Sequence, residues 1–493
     1  MKGTAKDNAK SASLLLHNGG SVPVSRIPAL SADQLKEQIL AAVGDGAEIG
    51  AFFARPAAAG SGAQLVGILL DRAQGALQVL SARVTDSWPS ITPECPAAHL
   101  FEREIAEQSG IAVPGHPWLK PVRFDPQFFQ VQGEEVHEVA VGPVHAGVIE
   151  PGYFRFQCHG ETVLHLEISL GYQHRGVESG LERGPDARSI HLAETLAGDT
   201  TIGHATASCE AMEALCGREA PPRAQALRAV ALELERIANH VGDLGALAGD
   251  VGFLPTSSWC GRIRGDVLNM SALLCGSRFG RGLVRPGGVA FDVDDQLLGQ
   301  LKERISSSLR DATGACELLW TTPSVLARFE GTGAISQETA REIGLTGLAA
   351  RACGIERDIR SDLPAGIWRF TQVPVSTWRT GDVFARAYVR WLEVQRSFAF
   401  IQDQLGALPP GDIRVGLPRP SRSALAVSLV EGWRGAICHA VITDSEGRVS
   451  RYKVVDPSFH NWFGLALAMR GQPVSDFPLC NKSFNLSYCG HDL

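Results

Sequence analysis

Residues 141–178 read VGPVHAGVIEPGYFRFQCHGETVLHLEISLGYQHRGVE, and this stretch decides the fold. Residues 153–156 and 163–170 alternate apolar and polar side chains, which is the period of a half-buried β-strand. The HGE segment between them favours a tight hairpin turn. The loop before this hairpin carries His145, and the loop after it carries His174. We therefore predict one small sheet flanked by two histidine-bearing loops.

The composition limits the classes of protein to which the chain can belong. Its 493 residues are enough for several domains with cores of their own. The formal charge of −7 comes with 46 basic residues spread along the sequence, so nothing points to nucleic-acid binding. The eleven cysteines form no CxxC pair and the first residues lack a secretory signal, which predicts reduced thiols in the cytosol. No apolar run approaches the ~20 residues of a membrane span, so membrane association is expected only through partners.

The order of the predicted elements gives an α+β fold. Residues 1–25 are small and polar and are expected to form a flexible tail. An α/β domain is expected over residues 26–130, up to a connector rich in proline and glycine. Residues 131–493 are expected to form a large, mainly helical domain with small antiparallel β units at its two ends. Its longest helix is predicted over residues 223–248, where apolar residues recur at helical spacing.

Four histidines are the first candidates for a metal site: His145, His174, His204 and His240. Catalytic zinc sites usually draw ligands from one short motif such as HExxH, and none of these histidines has a neighbour at that spacing. Isolated histidines that form hydrogen bonds are therefore the favoured interpretation. The glycines form neither GxGxxG nor GxxxxGK[ST], so no nucleotide site is predicted.

Carboxylates in apolar surroundings are the second set of candidates. A buried carboxylate is costly unless it is paired or has a function. These carboxylates are Glu178, Glu194, Asp199, Asp250 and Glu393. The arginines that could pair with them are Arg175, Arg357, Arg360, Arg386, Arg390 and Arg434. Two interpretations stay open on this basis: acid–base chemistry, or a structural ion-pair network between helices, which periodicity alone favours.

Motifs in a fixed order make the chain resemble the large subunit of membrane-bound, energy-converting [NiFe] hydrogenases of group 4 and its relative, the quinone-site subunit of respiratory complex I. In that family a GPxHP-type turn precedes a strand pair that ends in GYxHRGxE, and the counterparts here are GPVH and GYQHRGVE. Further matches are ELERIANH for ELxRIxxH, the RPGGV turn, residues 332–362, and GD with Arg386, Arg390 and Glu393. EGWRGA matches EGxRGE except at its last position, where Ala436 replaces the glutamate. Asp250 lies where complex I has a buried aspartate.

The N-terminal domain resembles a second protein of the same family, the small accessory subunit of complex I. The pattern there is FERExxxxxGI followed by GHP, and residues 101–117 contain FERE, GI and GHP in that order. A fusion of the two subunits is similar to hydrogenases of the formate hydrogenlyase type. The resemblance therefore extends over nearly the whole chain.

Four cysteines are missing from the positions at which a [NiFe] hydrogenase holds its metals. Aligned on His204, the first pair falls on Ala197 and Thr200. Aligned on the FPL segment near the C-terminus, the second pair falls on Ser487 and Gly490. Nickel in this site needs soft sulfur donors, which these four residues cannot supply. We therefore expect no [NiFe] centre, no hydrogenase activity and no metal held by this chain.

The resemblance to complex I also bears on quinone chemistry. Complex I uses a tyrosine near the first lost cysteine pair and a second histidine in its N-terminal loop. The tyrosine position falls on Thr195, and the N-terminal loop here has only His145. The usual donors to a quinone headgroup are thus not both present, and a quinone-like cavity with altered contacts is left open.

The resemblance implies the large subunit of a membrane-associated oxidoreductase complex that lacks a [NiFe] centre. It implies electron transfer from a partner iron–sulfur subunit with a [4Fe-4S] cluster, coupled to quinone reduction, ion translocation or both. NAD binding is implied for the family rather than for this chain. Membrane subunits of the proton-channel and antiporter type would hold the chain on the cytoplasmic side of the inner membrane. A different class stays open: a non-catalytic scaffold or coupling subunit of an ion-translocating complex.

Two sets of residues are expected around what we name the vestigial pocket, formed by the two histidine-bearing loops together with residues 194–204 and 485–490. The set expected to carry protons or couple conformational change is His145, Glu178, Asp199, Asp250 and Glu393. The set expected to line or support the pocket is His174, Arg175, Thr195, Thr200, His204, Arg357 and Ser487.

Overall fold

Strands lie toward the two ends of the chain, and helices fill its middle. The computed structural model describes residues 13–56, 62–123, 127–144 and 150–493. Small, mostly antiparallel sheets and long helices occur together in these residues, which confirms the predicted α+β fold.

The N-terminal unit is a five-stranded sheet with two helices beside it. Its elements are β1 (Leu14–Leu16), β2 (Gly20–Pro23), β3 (Ala29–Leu30), α1 (Ala32–Gly44), β4 (Glu48–Pro56), β5 (Ala63–Asp71), β6 (Ala76–Val84) and α2 (His99–Ser109). The sheet has the order β1–β6–β5–β4, β3 pairs in parallel with β6, and β2 leaves to join another sheet. A capping box begins α1: Ser31 Oγ accepts from the Gln34 N–H, and the Gln34 side chain accepts from the Ser31 N–H.

The expectation of a flexible tail over residues 1–25 is wrong for residues 14–16 and 20–23, which form two strands. β1 pairs with β6, and β2 pairs with residues 424–427 near the other end of the chain. Leu16 and Val22 are buried by these pairings. Each strand has only three or four residues, which is too short for a periodic signal in the sequence. Residues 1–12 lie outside the described part of the chain.

The hairpin predicted within residues 153–170 is confirmed as part of a three-stranded antiparallel sheet. The strands are β7 (Val136–Val141), β8 (Tyr153–His159) and β9 (Thr162–Ser169). Phe154, Phe156 and Leu166 are buried and join the large core of the helical region. The sheet is thereby fixed to the helices on one face only, as the alternating sequence predicts.

Long helices form the middle of the molecule. In chain order the elements are α3 (Val177–Leu181), α4 (Ser189–Ala193), α5 (Thr201–Leu215), α6 (Pro222–Asp250), α7 (Leu254–Cys275), β10 (Val284–Arg285), β11 (Gly288–Val289), α8 (Asp295–Thr321), α9 (Pro323–Phe329), α10 (Gln337–Glu342), α11 (Gly347–Ala352), α12 (Ile359–Asp362) and α13 (Val383–Gly406). The longest, α6, starts with a proline in its first turn and packs against α7 and α13. In the described part of the chain, none of the helices combines the length and apolar character that crossing a bilayer requires.

A second sheet closes the fold at the C-terminal end. Its elements and the helices after it are β12 (Ala424–Glu431), β13 (Ala436–Thr443), β14 (Val449–Val455), α14 (Pro457–Ala468), α15 (Phe477–Phe484) and α16 (Tyr488–Asp492). The strand order is β14–β13–β12–β2. Every residue of β12 and β13 is buried, because α5 packs on the sheet from the helical side and the N-terminal unit shares a core with these strands. Polar side chains on them, such as His439, must therefore find partners inside the protein.

Ion pairs cross the junction between the N-terminal unit and the rest of the chain. Lys453 on β14 lies 2.6 Å from Glu104 on α2, measured from Nζ to Oε2. Arg357 Nε lies 2.9 Å from Glu48 Oε1 on β4. Together with the shared hydrophobic core, these pairs fix the N-terminal unit against the C-terminal sheet.

Candidate functional site

Asp199 and Arg434 form the centre of the candidate site. The two side chains meet as a bidentate pair, with Nη1–Oδ1 and Nη2–Oδ2 distances of 2.6 and 2.7 Å. Gly347 fixes the turn that carries Arg434: its φ is +61°, and a Cβ there would lie 2.1 Å from the Arg434 carbonyl oxygen. Burial opposes the ionisation of Asp199, but the charge of Arg434 outweighs it and lowers the pKa of Asp199.

Trp433 and Thr200 hold this pair from the side. The Trp433 ring lies 3.9 Å from the Arg434 guanidinium carbon, and its Nε1 donates to Thr200 Oγ1 at 3.1 Å. Thr200 Oγ1 in turn donates to Asp199 Oδ1 at 3.1 Å. Arg434 Nε donates to the carbonyl oxygen of Asn485. Arg434 therefore joins the two segments that the sequence assigns to the vestigial pocket.

His204 and Asp456 form a second link between the same two segments. His204 Nε2 lies 3.0 Å from Asp456 Oδ2, and both side chains are buried. Asp456 Oδ1 also accepts from the Ser458 N–H at 2.8 Å. Burial opposes ionisation of Asp456, but the bond to His204 outweighs it and lowers the pKa of Asp456 to about 2. Gly490 packs directly on this carboxylate, since a Cβ there would lie 2.8 Å from Asp456 Cγ.

The four positions aligned with metal ligands do not fit a [NiFe] centre. Ala197 and Gly490 have no side-chain donor, and Thr200 Oγ1 is engaged with Asp199 and Trp433. Ser487 Oγ accepts the Gly490 N–H at 2.9 Å as the N-cap of α16. Within the described residues, no cluster of three or more His, Cys, Asp or Glu is arranged to hold a metal. The side chains at these four positions therefore do not supply the soft sulfur donors that nickel in such a site needs.

Substituting Gly490 with alanine is expected to lower the free energy of unfolding by about 1–3 kcal/mol, because the new methyl group would overlap the buried Asp456 carboxylate. The measurement is chemical denaturation followed by tryptophan fluorescence. Gly198→Ala is the matched control, since a Cβ at that position meets no atom within 4 Å. Equal stability of the two variants would show that the pocket has room for a side chain at position 490.

The thiol of Cys489 belongs to the segment 485–490 of the vestigial pocket. Its Sγ lies 3.5 Å from Ser487 Oγ and 3.6 Å from Glu150 Oε1. Burial and the neighbouring Glu150 raise the pKa of Cys489, although the backbone of Gly198 lowers it in part. The backbone contact shows that residues 198 and 489, from opposite halves of the vestigial pocket, are neighbours.

A buried charge network lies behind Trp433, whose ring centre is 6.0 Å from that of His240. At its centre Glu393 accepts from Arg351 Nε at 2.8 Å and lies 2.9 Å from His240 Nε2. Arg351 Nη1 donates to Glu431 Oε1 at 2.7 Å. Burial opposes ionisation of Glu393, but Arg351 and His240 outweigh it and hold the pKa of Glu393 well below its usual range. The structural ion-pair network left open by the sequence is thus present around Glu393.

Asp243 connects this network to the vestigial pocket. Arg390 Nε donates to Asp243 Oδ2 at 2.9 Å, and Asn485 Nδ2 donates to Asp243 Oδ1 at 2.6 Å. The sequence prediction chose Asp250 on the same helix, and the expectation of a buried Asp250 is wrong: this residue is exposed at the C-terminal end of α6. The spacing could have identified Asp243, because it follows His240 by three residues and so shares its helix face.

Glu178 is buried, but it faces β14 rather than Asp199. Its Oε1 accepts from the Val454 N–H at 3.0 Å and lies 3.1 Å from Lys453 Nζ. Arg357 likewise lies at the junction with the N-terminal unit, paired with Glu48, and not in the pocket. The prediction failed for Arg357 because its motif fixes its place along the chain but not the element that packs against it.

The remaining predicted residues bind backbone carbonyl groups or lie outside the described structure. Arg175 Nη2 donates to the Thr195 and Leu196 carbonyl oxygens at 2.8 and 3.2 Å. The Thr195 hydroxyl donates to backbone carbonyls of α4, and exposed His174 lies 2.9 Å from the Asp492 carbonyl oxygen. His145 lies outside the described residues, so its predicted role stays a prediction.

Comparison with known proteins identifies the family. A family model described as the respiratory-chain NADH dehydrogenase 49 Kd subunit matches residues 250–424, and one described as the 30 Kd subunit matches residues 59–134. The carbon monoxide-induced hydrogenase of Rhodospirillum rubrum is 31% identical over 353 residues, which make up 71% of this chain and 97% of that protein. The chain belongs to the hydrogenase and complex I subunit family.

Relatives from both branches of this family match the chain at similar levels. Formate hydrogenlyase subunit 5 of Escherichia coli (strain K12) is 29% identical over 432 residues, covering 81% of this chain and 76% of that protein. NADH-quinone oxidoreductase subunit 4 of Thermus thermophilus is 29% identical over 369 residues, covering 69% of this chain and 90% of that protein. The resemblance predicted from the motifs is thereby confirmed, and the chain is a subunit of an oxidoreductase of this family.

Three buried polar residues of the site escaped the sequence analysis: His439, Tyr452 and Asp456. His439 Nε2 lies 3.1 Å from His204 Nδ1, and His439 Nδ1 lies 2.9 Å from the Tyr452 hydroxyl. The available signal was a polar side chain inside the otherwise apolar strand AICHAVIT, because such a residue needs an internal partner. Nothing in the family motifs marks these positions.

The free energy of unfolding is expected to fall as the pH is lowered from about 5 to about 2. Asp456 and Asp358 both have a pKa of about 2 in the folded protein, where His204 and Arg360 stabilise their charged forms against burial. A carboxyl group whose pKa is lowered by folding stabilises the folded state at pH values above its unfolded pKa of about 4. Each of these two carboxyl groups contributes about 2 kcal/mol, and this contribution is lost as the pH falls from about 4 through the folded pKa. Denaturation midpoints at several pH values measure it. Asp456→Asn should flatten the slope, whereas exposed Asp33→Asn should not.

Proposed function

We propose that this chain is the large subunit of a membrane-associated oxidoreductase complex that works without a [NiFe] centre. In this proposal it receives electrons from a partner iron–sulfur subunit with a [4Fe-4S] cluster and couples them to quinone reduction, ion translocation or both. The names of the relatives, which include formate hydrogenlyase and NADH-quinone oxidoreductase subunits, support the class of reaction. The observation that carries the proposal is the set of residues in the vestigial pocket: an oxygen and guanidinium site, Asp199 with Arg434, where thiolates are missing.

The architecture we propose for the complex follows from the same likeness. A domain boundary near residue 130 separates a unit like the 30 Kd subunit from a unit like the 49 Kd subunit, and the two are fused in one chain. Membrane subunits of the proton-channel and antiporter type hold the complex on the cytoplasmic side of the inner membrane. The iron–sulfur subunit would dock where its terminal cluster faces the vestigial pocket.

Within the pocket, the residues of this chain would handle protons and charge. Asp199 stays ionised beside Arg434, so it can accept a proton only when that pair opens. Asp456 is a second carboxylate, and because its partners hold its pKa at about 2, it takes up a proton only when one is delivered through its hydrogen bond with His204. Glu393 and Arg351 would couple a change of charge in the pocket to the helices α6 and α13 across the contact of Trp433 with His240.

A quinone would meet contacts that differ from those implied by the complex I resemblance. Thr195 stands at the position of the expected tyrosine, and its hydroxyl donates to the His191 and Leu192 carbonyl oxygens within its own turn. It is therefore engaged locally and is not free to donate to a headgroup. Arg175, exposed and held at the Thr195 carbonyl, is the nearest cation to that position among the residues we assign to the pocket.

Purification of the intact complex tests this proposal. We expect iron and sulfide without stoichiometric nickel, no hydrogen oxidation, and iron–sulfur clusters whose electron paramagnetic resonance signals disappear when quinone is added to the reduced complex. Asp199→Asn is expected to slow this reoxidation at least about tenfold. Asp33→Asn, an exposed carboxylate of the N-terminal unit, serves as the control. Stoichiometric nickel or hydrogen-dependent reduction would overturn the proposal.

A non-catalytic scaffold is the second candidate, and one observation favours it. The carboxylates Asp199, Glu393 and Glu178 are each already paired with a cation, as in a structural network. If the chain is a scaffold, Asp199→Asn should not change the rate at which quinone reoxidises the reduced clusters. The partner iron–sulfur subunit should also have lost its cluster cysteines. Retained cysteines and a variant-sensitive rate would exclude it.

A further inference from the structure

We infer that a buried chain of five side chains conducts protons between a surface cavity and the vestigial pocket. The chain runs from Ser208 through Tyr452, His439 and His204 to Asp456. It deepens the proposed function, because it gives the pocket of that proposal a route for protons. The hydrogen bonds that link the five side chains do not depend on which electron acceptor the complex uses.

The five side chains form an unbroken series of hydrogen bonds. Ser208 Oγ and the Tyr452 hydroxyl are 3.0 Å apart, and that hydroxyl is 2.9 Å from His439 Nδ1. His439 Nε2 is 3.1 Å from His204 Nδ1, and His204 Nε2 is 3.0 Å from Asp456 Oδ2. The series therefore passes through both nitrogens of each imidazole, which is the arrangement that lets a histidine pass a proton on.

Three elements fix this series in place. Ser208 and His204 lie one turn apart on α5, while His439 lies on β13, on the face of the sheet that packs against α5. Tyr452 on β14 pairs with Val441, two residues from His439 along the neighbouring strand. The largest exposed fraction among the five residues is 6%, at Ser208, so the steps beyond Tyr452 are shielded from bulk water. A series of polar groups this deep must be hydrogen-bonded throughout, and it is.

The outer end of the series reaches a cavity of about 460 Å³. Ser208 and Tyr452 form part of its wall, together with the exposed groups Asp186 and His191 and the guanidinium of Arg285. Water in such a polar-rimmed cavity has the partners it needs. The inner end is Asp456, which touches Gly490 at the position of a missing metal ligand. The series thus links solvent at α3 and α4 with the vestigial pocket.

Charged groups around the series favour one resting arrangement. His204 and Arg434 keep Asp456 ionised against its burial, and burial together with His204 keeps His439 neutral by lowering its pKa. Burial also raises the pKa of Tyr452, and the neighbouring Cys209 and Cys438 thiols raise it further, so the hydroxyl keeps its proton. Asp199 is the other carboxylate that faces this end, and Glu182 accepts from the Tyr452 backbone N–H at the outer end.

With Asp456 ionised and the other four groups neutral, the series can be drawn with every donor pointing toward Asp456. The Tyr452 hydroxyl donates to Ser208 Oγ in the structure, and rotation of both hydroxyl hydrogens reverses this bond. Ser208 then donates to Tyr452, Tyr452 to His439 Nδ1, His439 Nε2–H to His204 Nδ1, and His204 Nε2–H to Asp456. A proton that binds Ser208 from the cavity displaces one proton at each step, so that the last one arrives on the Asp456 carboxylate. One proton enters, one is delivered, and no bond other than O–H and N–H forms or breaks. Rotation of the groups restores the starting arrangement.

Proton exchange in the full-length chain tests this inference without any electron transfer. The proton shared by His204 and Asp456 should give a downfield nuclear magnetic resonance signal, and its exchange with water can be followed by saturation transfer. Tyr452→Phe removes one hydroxyl from the series and should slow this exchange at least about tenfold. Ser208→Ala should have the same effect. Tyr388→Phe, a tyrosine on α13 that packs against Trp320 and Trp378, is the matched control and should leave the rate unchanged.

Each outcome decides between the alternatives. Unchanged exchange in both Tyr452→Phe and Ser208→Ala would overturn the inference, because protons would then reach Asp456 by another path. Loss of the downfield signal in both variants would also overturn it, since the series would then serve only to hold the fold. Slower exchange with normal quinone-linked turnover of the intact complex would keep the proton route and reject its use in the proposed function.

Discussion

Replacing Arg351 with methionine is expected to lower the free energy of unfolding by about 3–5 kcal/mol, because it removes one partner from a buried ion-pair cluster. Arg351 is fully buried and pairs with Glu393 and Glu431 at 2.8 and 2.7 Å, with Asp358 at 3.6 Å. Methionine fills much of the same volume but leaves these carboxylates without that cation in a medium of low polarity. Equilibrium denaturation by urea measures the loss.

A matched control separates this effect from a general sensitivity to losing an arginine. Arg369 forms an exposed pair with Glu219 at 3.3 Å, so Arg369→Met should change the stability by less than about 1 kcal/mol. The double variant Arg351→Met with Glu431→Gln should recover part of the loss, because the unpaired charge at position 431 is then neutral. Equal effects at positions 351 and 369 would mean that the cluster does not stabilise the fold as a network.

Replacing Lys453 with methionine is the second change with a large expected effect, again about 3–5 kcal/mol. Lys453 Nζ lies 2.6 Å from Glu104 and 3.1 Å from Glu178, and its side chain is 1% exposed. Without the ammonium group, two carboxylates face each other at the junction between α2 and β14, and only Arg123 still pairs with Glu104. The loss should be largest near neutral pH and smaller near pH 4, where Glu104 can be protonated once its cation is gone.

Thermal denaturation at both pH values checks this prediction. Lys36→Met is the control, because Lys36 pairs with Glu94 at the surface, with side chains that are 25% and 52% exposed. We expect it to shift the melting temperature little at either pH. If the loss of stability in Lys453→Met does not depend on pH, the cause is poor packing of the methionine side chain and not the unpaired carboxylates.

The sequence predicted the parts of the molecule that follow from periodicity and from ordered motifs. The hairpin of residues 153–170, the long helix α6 and the three C-terminal strands were all within reach, because their patterns extend over seven residues or more. The structure connects Thr200 and His204 with residues 485–490 through Arg434 and Asp456, while the predicted roles of Thr200, His204 and Ser487 stay predictions. Two short strands before residue 25 could not be recognised, since three or four residues carry no period.

Side-chain partners were the part that sequence reasoning could not reach. Arg357 pairs with Glu48 across the junction, and Asp250 is exposed where a buried aspartate was expected. Both errors come from transferring a position along the chain without knowing the packing around it. The partners of His204 lie on β13 and after β14, more than two hundred residues away, and no local pattern can pair residues at that separation.

The strand β2 has a consequence for how the protein is made. Its partner β12 is separated from it by about four hundred residues, as is shown by the bonds of Asn18 with the backbone of Leu429, 411 positions further on. The N-terminal strand β2 is synthesised first, and it stays unpaired until nearly the whole chain has left the ribosome. Contacts of such separation are slow to form, so the nascent chain needs protection during this interval. Truncated chains that end before β12 would leave the backbone edge of β2 unpaired, and an unpaired strand edge can pair with another chain.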